Sequence, residues 1–251
     1  MPENRPFVLS IAGFDPSGGA GVLADCKTFE QHQVYGLAVT TANTIQTENE
    51  FFEIQWTSLD FIITSLDKLF DTYKIKAVKI GITPSLPYLN SVVMHIKKLS
   101  PTTKIVWDTV LKSSTAFDFL VIENQEILKN ILTQIDLITP NYTEIIQLSN
   151  EPTTAEKIAK NLSEHCNVLL KGGHNPTEQG VDYLYIKDRF FRLERHHNKI
   201  YEKHGSGCVL SASITANLAK DQSLLNACKN AKIYIENYLL SNNSKLGYHY
   251  A

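Results

Sequence analysis

Residues 7–29 read FVLSIAGFDPSGGAGVLADCKTF, and this stretch indicates the fold of the whole chain. Its first six residues are apolar apart from one serine, which is the composition of a short buried strand. A glycine-rich turn follows, and after it Val22, Cys26 and Phe29 recur at helical spacing. A strand followed by a turn and a helix is the start of a βα unit, so the stretch predicts an α/β fold.

The alternation of strands and helices continues along the rest of the chain. Apolar segments rich in β-branched residues predict further strands, and helical periodicity predicts helices between them. The predicted strands cover residues 35–46, 77–81, 104–108, 137–139 and 168–171. The predicted helical faces are Phe61/Ser65/Leu69/Tyr73, Leu89/Val93/Ile96, Ile127/Ile131/Ile135, Ile158/Leu162 and Leu224/Cys228/Ala231/Ile235/Tyr238, with a capping box at residues 153–156 and another helix from about Gly207.

This order predicts right-handed crossovers and a mostly parallel sheet covered by helices on both faces, a three-layer α/β/α sandwich. Residues 183–187 and 189–193 flank Asp188 and are typical of a small β-hairpin. The chain has 251 residues, of which 43% are hydrophobic and 20% charged, so residues 1–251 are expected to form a single domain. Ligands bind such sheets beyond the carboxyl ends of the strands, so functional residues are expected in the turns there.

Charge, apolar runs and cysteine spacing argue against several classes of protein. The formal net charge of −2 provides no attraction to nucleic acid or to an anionic membrane, so neither partner is expected. The amino terminus lacks the pattern of a signal peptide, and no apolar run is long enough to cross a bilayer. The four cysteines show neither a CxxC pair nor a Cys/His ligand spacing, which argues against a disulfide framework or zinc site and favours a cytoplasmic location.

The first of two glycine-rich turns matches the pattern GxGxxA at residues 19–24. In dinucleotide-binding folds this pattern is accompanied by an acidic residue that ends the next strand, about 20 positions later, and holds a ribose. Here the next predicted strand ends at Gln46, and Glu48 comes too late. A tight turn with a structural role is therefore favoured over a dinucleotide site. No P-loop pattern occurs in the chain.

The second glycine-rich turn, residues 205–207, stands directly before a predicted helix. Small residues allow backbone N–H groups to converge there, and the helix dipole favours negative charge, so the turn can stabilise a phosphoryl group. Cys208 falls in the first helical turn, where the pKa of a thiol is lowered, and this placement suits a base or a nucleophile. The alternative for Cys208 is a small buried residue that packs on the sheet.

Polar residues follow three predicted strands. They are Asp108, the segment Asn141 to Glu144, and Lys171. Carboxylates at Asp108 and Glu144 could hold Mg²⁺ through waters, and Lys171 could neutralise phosphate, so together they indicate phosphoryl transfer. His174 is interpreted as a hydrogen-bonding loop residue, and the other histidines carry no functional signal.

Seven segments follow one another along the chain: SIAGFDPSGGAGVLADCKTF (10–29), TANTIQTENE (41–50), KIGI (79–82), WDTV (107–110), LITPNYTE (137–144), LLKGGH (169–174) and HGSGCVLSA (204–212). In this order they resemble the hydroxymethylpyrimidine and hydroxymethylpyrimidine-phosphate kinases, which are thiamine-biosynthesis kinases of the ribokinase-like superfamily. The resemblance covers nearly the whole chain, and SGGAG and HGSGC are its most specific blocks. Departures are few: Ser206 stands where threonine is usual, Ile82 where methionine is frequent, and Glu202-Lys203 where the family has Asn-Thr.

The resemblance implies a role for each matching residue. Cys208 stands where sugar kinases of the superfamily have a catalytic aspartate, and Gln46 would bind the heterocycle through its amide. The implied sets are catalytic Cys208, Gly205, Ser206, Gly207 and Lys171, substrate-binding Gln46, Asp25, Gly13 and Thr44, nucleotide-binding Asn141 and Lys171, and metal-binding Asp108 and Glu144.

The activity implied by the resemblance is ATP-dependent phosphorylation of 4-amino-5-hydroxymethyl-2-methylpyrimidine, and then of its monophosphate, with Mg²⁺. The resemblance also implies a homodimer, and the sequence leaves open whether a monovalent cation is required. One alternative is a pyridoxal kinase of the same fold, since pyridoxal also has a hydroxymethyl group on a flat heteroaromatic ring. The other is a nucleotide- or vitamer-sensing protein without catalysis, although the retained Lys171, Asp108 and Glu144 argue against it.

Overall fold

The computed structural model describes residues 5–112, 117–197 and 200–250. Within them the chain forms nine strands and eight α-helices. The strands are β1 Phe7–Phe14, β2 Tyr35–Gln46, β3 Phe51–Trp56, β4 Ile75–Ile80, β5 Lys104–Trp107, β6 Leu137–Ile138, β7 Asn167–Leu170, β8 Asp182–Ile186 and β9 Arg189–Leu193. The helices are α1 Gly21–Gln31, α2 Leu59–Thr72, α3 Leu86–Leu99, α4 Gln125–Leu132, α5 Tyr142–Gln147, α6 Ala155–Leu162, α7 Ser206–Ala219 and α8 Leu224–Leu240.

These strands lie in one sheet, in the order β3-β2-β1-β4-β5-β6-β7-β8-β9. The centre of the sheet, from β2 to β7, is parallel, whereas β3, β8 and β9 run antiparallel to their neighbours. The prediction of a mostly parallel sheet is confirmed, and β8 and β9 form the predicted hairpin.

Alternate residues of the central strands pack into different cores, one on each face of the sheet. Ile11 of β1 belongs to the core shared with α2 to α6, whereas Val8 packs on the other face with Phe29 of α1. Val106 and Leu137 join that second face to α7 and α8. Helices therefore cover both faces, as parallel strands require, and the predicted α/β/α sandwich is confirmed.

The helix starts around the site differ from the sequence prediction. The capping box expected at residues 153–156 does not form: Thr154 is the N-cap of α6 and accepts a hydrogen bond from Lys157 N–H, but the lysine side chain cannot return the second bond of a box. A complete capping box opens α5, which the sequence pattern did not predict: Asn141 accepts from Glu144 N–H, and Glu144 accepts from Asn141 N–H. Helix capping thus sets the position of two candidate site residues.

The prediction for the face of α2 was wrong, and β3 was not predicted. Phe61 is 64% exposed, whereas Ile62 and Leu66 are fully buried. Residues 61–63 are all apolar, so helical periodicity allows the buried face to begin at either Phe61 or Ile62. Packing on the sheet selects the face that begins at Ile62. Strand β3 lies at the edge of the sheet, where its half-exposed residues lack the continuous apolar pattern of a central strand.

Glycine is required in the turn between β1 and α1. Gly21 has a φ of +61°, and a Cβ at this position would lie 2.1 Å from the carbonyl oxygen of Gly13. The backbone of the turn therefore folds back onto the end of β1 more closely than any side chain would allow. This close approach explains the GxGxxA pattern as a tight turn.

Among the described residues, no helix is both long and apolar enough to span a membrane. All four cysteines are free thiols. Over the same ranges, no group of three or more His, Cys, Asp and Glu side chains is arranged to hold a metal ion by itself.

Candidate active site

A cavity of about 710 Å³ lies beyond the carboxyl ends of the strands. Gly13, Thr44 and Gln46 line one end of it, and the ends of β5 and β7 and the start of α7 line its middle. Most predicted site residues contribute to its wall, namely Gly13, Thr44, Gln46, Asp108, Asn141, Glu144, Lys171, Gly205, Ser206, Gly207 and Cys208. A volume of this size is typical of a small-molecule site.

The start of α7 has the geometry of an anion-binding site. Gly205 is the N-cap with a φ of 70°, in the left-handed region, and glycine offers no side chain to cap the helix. A Cβ on Gly205 would lie 2.0 Å from the carbonyl oxygen of Gly19, so the two glycine-rich turns pack directly against each other. The first N–H groups of this 14-residue helix are therefore available to a ligand in the cavity.

Lys171, just after β7, lies between two carboxylates. Its Nζ is 3.2 Å from Asp108 Oδ1 and 3.6 Å from Glu144 Oε2. Burial alone would lower the pKa of Lys171, but the two carboxylates outweigh it and raise the pKa above its ordinary value. A Cβ on Gly207 would lie 3.2 Å from Nζ, so the ammonium group reaches the start of α7.

Asp108 is fully buried and accepts hydrogen bonds on both oxygens. Thr139 and Lys171 donate to Oδ1, and Ser211 of α7 donates to Oδ2. Burial raises the pKa of Asp108, but the charges of Lys171 and Lys79 outweigh it and hold the pKa below its ordinary value. Asp108 is therefore an ionised, well-anchored carboxylate.

Glu144 is held by the start of α5. Its Oε2 accepts from Asn141 N–H at 2.8 Å and from the Thr109 hydroxyl at 3.4 Å, whereas its Oε1 has no hydrogen-bond partner among the described residues. Burial, together with the charge of Asp108, raises the pKa of Glu144 despite the attraction of Lys171. One carboxylate oxygen thus remains available to a ligand in the cavity.

The expectation that the Cys208 thiol has a lowered pKa was wrong. Burial raises its pKa to about 11, and the carboxylates of Asp108 and Asp25 add to this effect. The charge of Lys79 and a hydrogen bond from Gly21 N–H oppose the shift without reversing it. Desolvation of the thiolate outweighs the helix dipole here, so Cys208 is a protonated thiol at neutral pH.

Asp25 was expected to line the substrate pocket, and its side chain does not reach the cavity. It is fully buried on α1, where Ser10 donates to Oδ2 at 2.5 Å and Lys79 Nζ lies 2.9 Å from both oxygens. Lys79, the fully buried partner from β4, lines the cavity instead. Its pKa is raised, because the attraction of Asp25 outweighs the opposing effect of burial. Lys79 was not predicted as a site residue, because it stands in an apolar strand and its partner lies 54 positions away in the chain.

The far end of the cavity offers an oriented amide. Gln46 Nε2 donates to the Thr44 hydroxyl at 2.8 Å, and Thr44 donates to the carbonyl oxygen of Phe14 at 2.8 Å. This chain of bonds leaves the Gln46 carbonyl oxygen available as an acceptor. Ile82 packs directly against Gly13, because its Cδ1 would lie 2.6 Å from a Cβ at Gly13, and both residues line the cavity.

Asp15 and His204 line the cavity and were missed by the sequence analysis. Their side chains are joined by a contact of 2.9 Å between Asp15 Oδ2 and His204 Nε2. Each residue stands next to a glycine-rich turn, which is the one sequence signal that could have identified them.

The start of α7 faces a lysine held between two carboxylates, and these groups together suit phosphoryl transfer, so the fold and the site are those of a small-molecule kinase. The chain belongs to the phosphomethylpyrimidine kinase family, whose model matches residues 15–251. It is 36% identical over 248 residues to the hydroxymethylpyrimidine/phosphomethylpyrimidine kinase of Aquifex aeolicus, an alignment that covers 96% of each chain.

Solved structures of two kinds of kinase share this fold. A phosphomethylpyrimidine kinase from Clostridium difficile superposes with a TM-score of 0.77 at 31% identity, covering 92% of this chain and 98% of the other. The pyridoxal kinase of Bacillus subtilis, solved as an ADP complex, superposes with a TM-score of 0.80 at 28% identity, covering 95% and 93%.

Proposed function

We propose that this protein transfers the γ-phosphoryl group of ATP to 4-amino-5-hydroxymethyl-2-methylpyrimidine and then phosphorylates the monophosphate to the diphosphate, as a step in thiamine diphosphate synthesis. The observation that carries the proposal is one continuous cavity, with the oriented Gln46 amide at one end and the start of α7 beside Lys171 further along. An acceptor alcohol and a phosphoryl donor can therefore meet inside it.

At the substrate end, recognition depends on the direction of the Gln46 amide. Since Nε2 is already bonded to Thr44, the carbonyl oxygen is the group that faces incoming donors. The exocyclic amine of an aminopyrimidine is such a donor. Gly13 and Ile82 also line the cavity, so the ring would contact an apolar side chain and a backbone without a Cβ.

At the phosphate end, positioning and charge stabilise the transfer. The N–H groups at the start of α7 point at the transferred group, and the helix dipole favours its negative charge. Lys171 supplies a fixed positive charge at the same point. Because phosphoryl transfer proceeds through a loose transition state, these contacts account for most of the rate.

The raised pKa of Cys208 favours a donor role over the base or nucleophile expected from the sequence. A protonated thiol cannot accept the proton of the substrate alcohol, but its S–H can donate a hydrogen bond. Cys208 therefore contributes as a donor to the anion hole, which is formed with the N–H groups of residues 205–207. The position of Cys208 is set by the Gly21 N–H that bonds the sulfur. The bond between the alcohol oxygen and the γ-phosphorus forms as the bond to ADP breaks, and the alcohol proton passes to an oxygen of the transferred phosphoryl group.

Asn141 would contact the nucleotide, and Glu144 and Asp108 would hold Mg²⁺ that arrives with it. The Glu144 Oε1 atom has no partner among the described residues and is free to serve as a ligand. The oxygens of Asp108 accept from Thr139, Lys171 and Ser211, so Asp108 would act through a water. Two carboxylates that share the ion with phosphate oxygens are a common magnesium arrangement, and the ion would neutralise phosphate charge.

Phosphorus NMR of the products tests the proposal directly. Purified protein, ATP, Mg²⁺ and the pyrimidine alcohol should yield the monophosphate first and the diphosphate later. A protein that consumes no ATP and forms no phosphate ester would instead be a sensing protein. Lys171→Met serves as the inactive control, so that a contaminating kinase is recognised.

Pyridoxal kinase is the second candidate, and the superposition on the Bacillus subtilis enzyme favours it specifically. Both substrates carry a hydroxymethyl group on a flat heteroaromatic ring. Values of kcat/KM for the pyrimidine alcohol and for pyridoxal, measured side by side, separate the two activities. We expect the pyrimidine to be preferred, and a preference for pyridoxal would contradict this assignment.

A further inference from the structure

We propose that His204 is a positioning residue for phosphoryl transfer: bound to Asp15, it holds the turn at residues 205–207 against the first glycine-rich turn. This inference rests on the proposed function, since the turn at the start of α7 is where the phosphoryl group would be held. The contact joins residues 189 positions apart in the chain, with the side chain of Asp15 1% exposed and that of His204 9% exposed.

Asp15 is a rigid anchor for this contact. Its Oδ1 accepts from Ser17 N–H at 2.9 Å, and its Oδ2 accepts from the Ser17 hydroxyl at 2.8 Å and from Ala20 N–H at 2.9 Å. The same Oδ2 lies 2.9 Å from His204 Nε2. The carboxylate therefore organises the first glycine-rich turn and holds the histidine at the same time.

The ionisation of Asp15 determines the direction of its hydrogen bond with His204. Burial raises the pKa of Asp15, but hydrogen bonds from His204 and Ser17 outweigh it, so the pKa lies below its ordinary value. An ionised carboxylate only accepts hydrogen bonds, so His204 Nε2 must be the donor. The ring is thus held in one orientation.

The two glycine-rich turns are in close contact through the imidazole of His204 and through the backbone of Gly205. A Cβ on Gly19 would lie 2.8 Å from His204 Cδ2, so the ring packs directly against the first turn. A Cβ on Gly205 would lie 2.0 Å from Gly19 O and 2.7 Å from Ala20 Cα. The left-handed conformation of Gly205 is therefore maintained by contact with a turn that Asp15 organises.

Without the contact between Asp15 and His204, the hydrogen-bond donors at the start of α7 would point in a different direction, although every chemical group of the site would remain. The N–H groups of the first turn of α7 follow the backbone of Gly205, and the Cys208 sulfur is bonded by Gly21 N–H from the other turn. If the two turns separate, both the N–H groups at the start of α7 and the Cys208 thiol are displaced. A displacement near 1 Å at a reacting centre can reduce turnover about 100-fold.

The variants His204→Leu, His204→Gln and Asp15→Asn separate positioning from direct ligand contact. Leucine fills the space without a donor, whereas glutamine places an amide N–H near the position of Nε2. His95→Leu is the matched control, because His95 Nε2 makes a similar contact of 2.7 Å to Asp67 on the surface. The measurements are kcat, KM for both substrates, and ADP affinity by calorimetry.

We expect His204→Leu to lower kcat about 30- to 100-fold while each KM and the ADP affinity change less than about threefold. His204→Gln should recover about tenfold of that loss, and His204→Leu combined with Asp15→Asn should be no slower than the worse single variant. A kcat for His204→Leu within threefold of the His95→Leu control would overturn the proposal. So would a loss seen equally in ADP affinity, since that result indicates a direct ligand contact.

Amide hydrogen exchange provides a readout that does not depend on activity. His204→Leu should speed exchange of the Ala20 and Val209 amides, which donate to Asp15 and to Gly205 O, about tenfold or more, whereas His95→Leu should not. Unchanged exchange contradicts the positioning role even in an inactive protein. If the wild-type protein phosphorylates neither candidate substrate while exchange responds as described, the proposed function fails and the contact between the turns stands.

Discussion

The Lys171 ammonium lies 3.2 Å from the carboxylate of Asp108, although 63 residues separate them in the chain. The two side chains follow β7 and β5, whose carboxyl ends lie at the same edge of the sheet. Buried charges are tolerated because they are paired, and removing one partner of such a pair leaves the other uncompensated. The site is therefore stable only as a complete set of charges.

Lys171→Met tests the contribution of this charge to catalysis. Methionine keeps the length of the side chain but cannot stabilise the transferred phosphoryl group, so kcat should fall at least about 100-fold. Steady-state kinetics with ATP and the pyrimidine alcohol measure the effect. Lys104→Met is the matched control, because Lys104 forms a surface ion pair with Asp136 at 2.8 Å. Equal rates for the two variants would contradict the role of Lys171.

Gln46→Ala should weaken binding of the pyrimidine and leave nucleotide binding nearly unchanged. The lost hydrogen bond in a desolvated pocket corresponds to about 1–3 kcal/mol. Calorimetry with the pyrimidine alcohol and, separately, with ADP measures both affinities. Gln55→Ala, an exposed glutamine on β3, is the control. If ADP affinity falls as much as pyrimidine affinity, Gln46 does not belong to the substrate end of the cavity.

The raised pKa of Cys208 has a direct chemical signature. With a pKa of about 11, on the order of one molecule in ten thousand carries a thiolate at pH 7. Iodoacetamide should therefore label Cys208 about 100-fold more slowly than an ordinary cysteine at pH 7, with the rate rising as the pH approaches 11. Peptide mass spectrometry follows the reaction, and rapid labelling at pH 7 would show that the thiolate is stabilised after all.

Substitution of Cys208 separates the donor role from that of a general base. As one donor of the anion hole, Cys208 should contribute about 10- to 100-fold to kcat, so Cys208→Ala should lose that amount. Cys208→Ser, which keeps a donor, should retain more activity than the alanine variant. A loss with alanine that serine does not relieve would favour proton acceptance by the sulfur. Near-normal turnover of a folded alanine variant would reduce Cys208 to packing.

Two half-buried histidines make the protein less stable in acid. Burial lowers the pKa of His32 and of His249 to about 4, with further contributions from Lys220 and Lys27 respectively. The unfolded chain takes up these protons near pH 6.5, so between about pH 6.5 and 4 it binds more protons than the folded protein. The free energy of unfolding should therefore fall by about 2 kcal/mol for each of the two histidines between pH 7 and pH 5.

Urea unfolding at a series of pH values measures this dependence. A variant with His32→Asn and His249→Asn should show a flatter curve between pH 7 and pH 5, because neither side chain takes up a proton on unfolding. If the unfolding free energy of the variant depends on pH as steeply as that of the wild type, other groups cause the acid sensitivity.

Local sequence was sufficient for the features that depend on neighbouring residues. The strand, turn and helix of residues 7–31 follow from apolar spacing and from glycine at Gly21, where no other side chain fits. The residues after β5, β6 and β7 were correctly expected to gather, because parallel strands present their carboxyl ends at one edge. The buried face of α2 could not be predicted, since three consecutive apolar residues are compatible with two different buried faces.

The sequence by itself thus determined the layered fold, the two glycine-rich turns and most of the cavity wall, since each follows from short-range periodicity and backbone sterics. Only the tertiary structure decided that Cys208 is protonated, that Lys79 and not Asp25 faces the cavity, and that Asp15 binds His204. The physical reason is that protonation and pairing depend on burial and on charges that come from distant parts of the chain. Residues such as Asp15 and His204 meet only when the sheet brings their turns together.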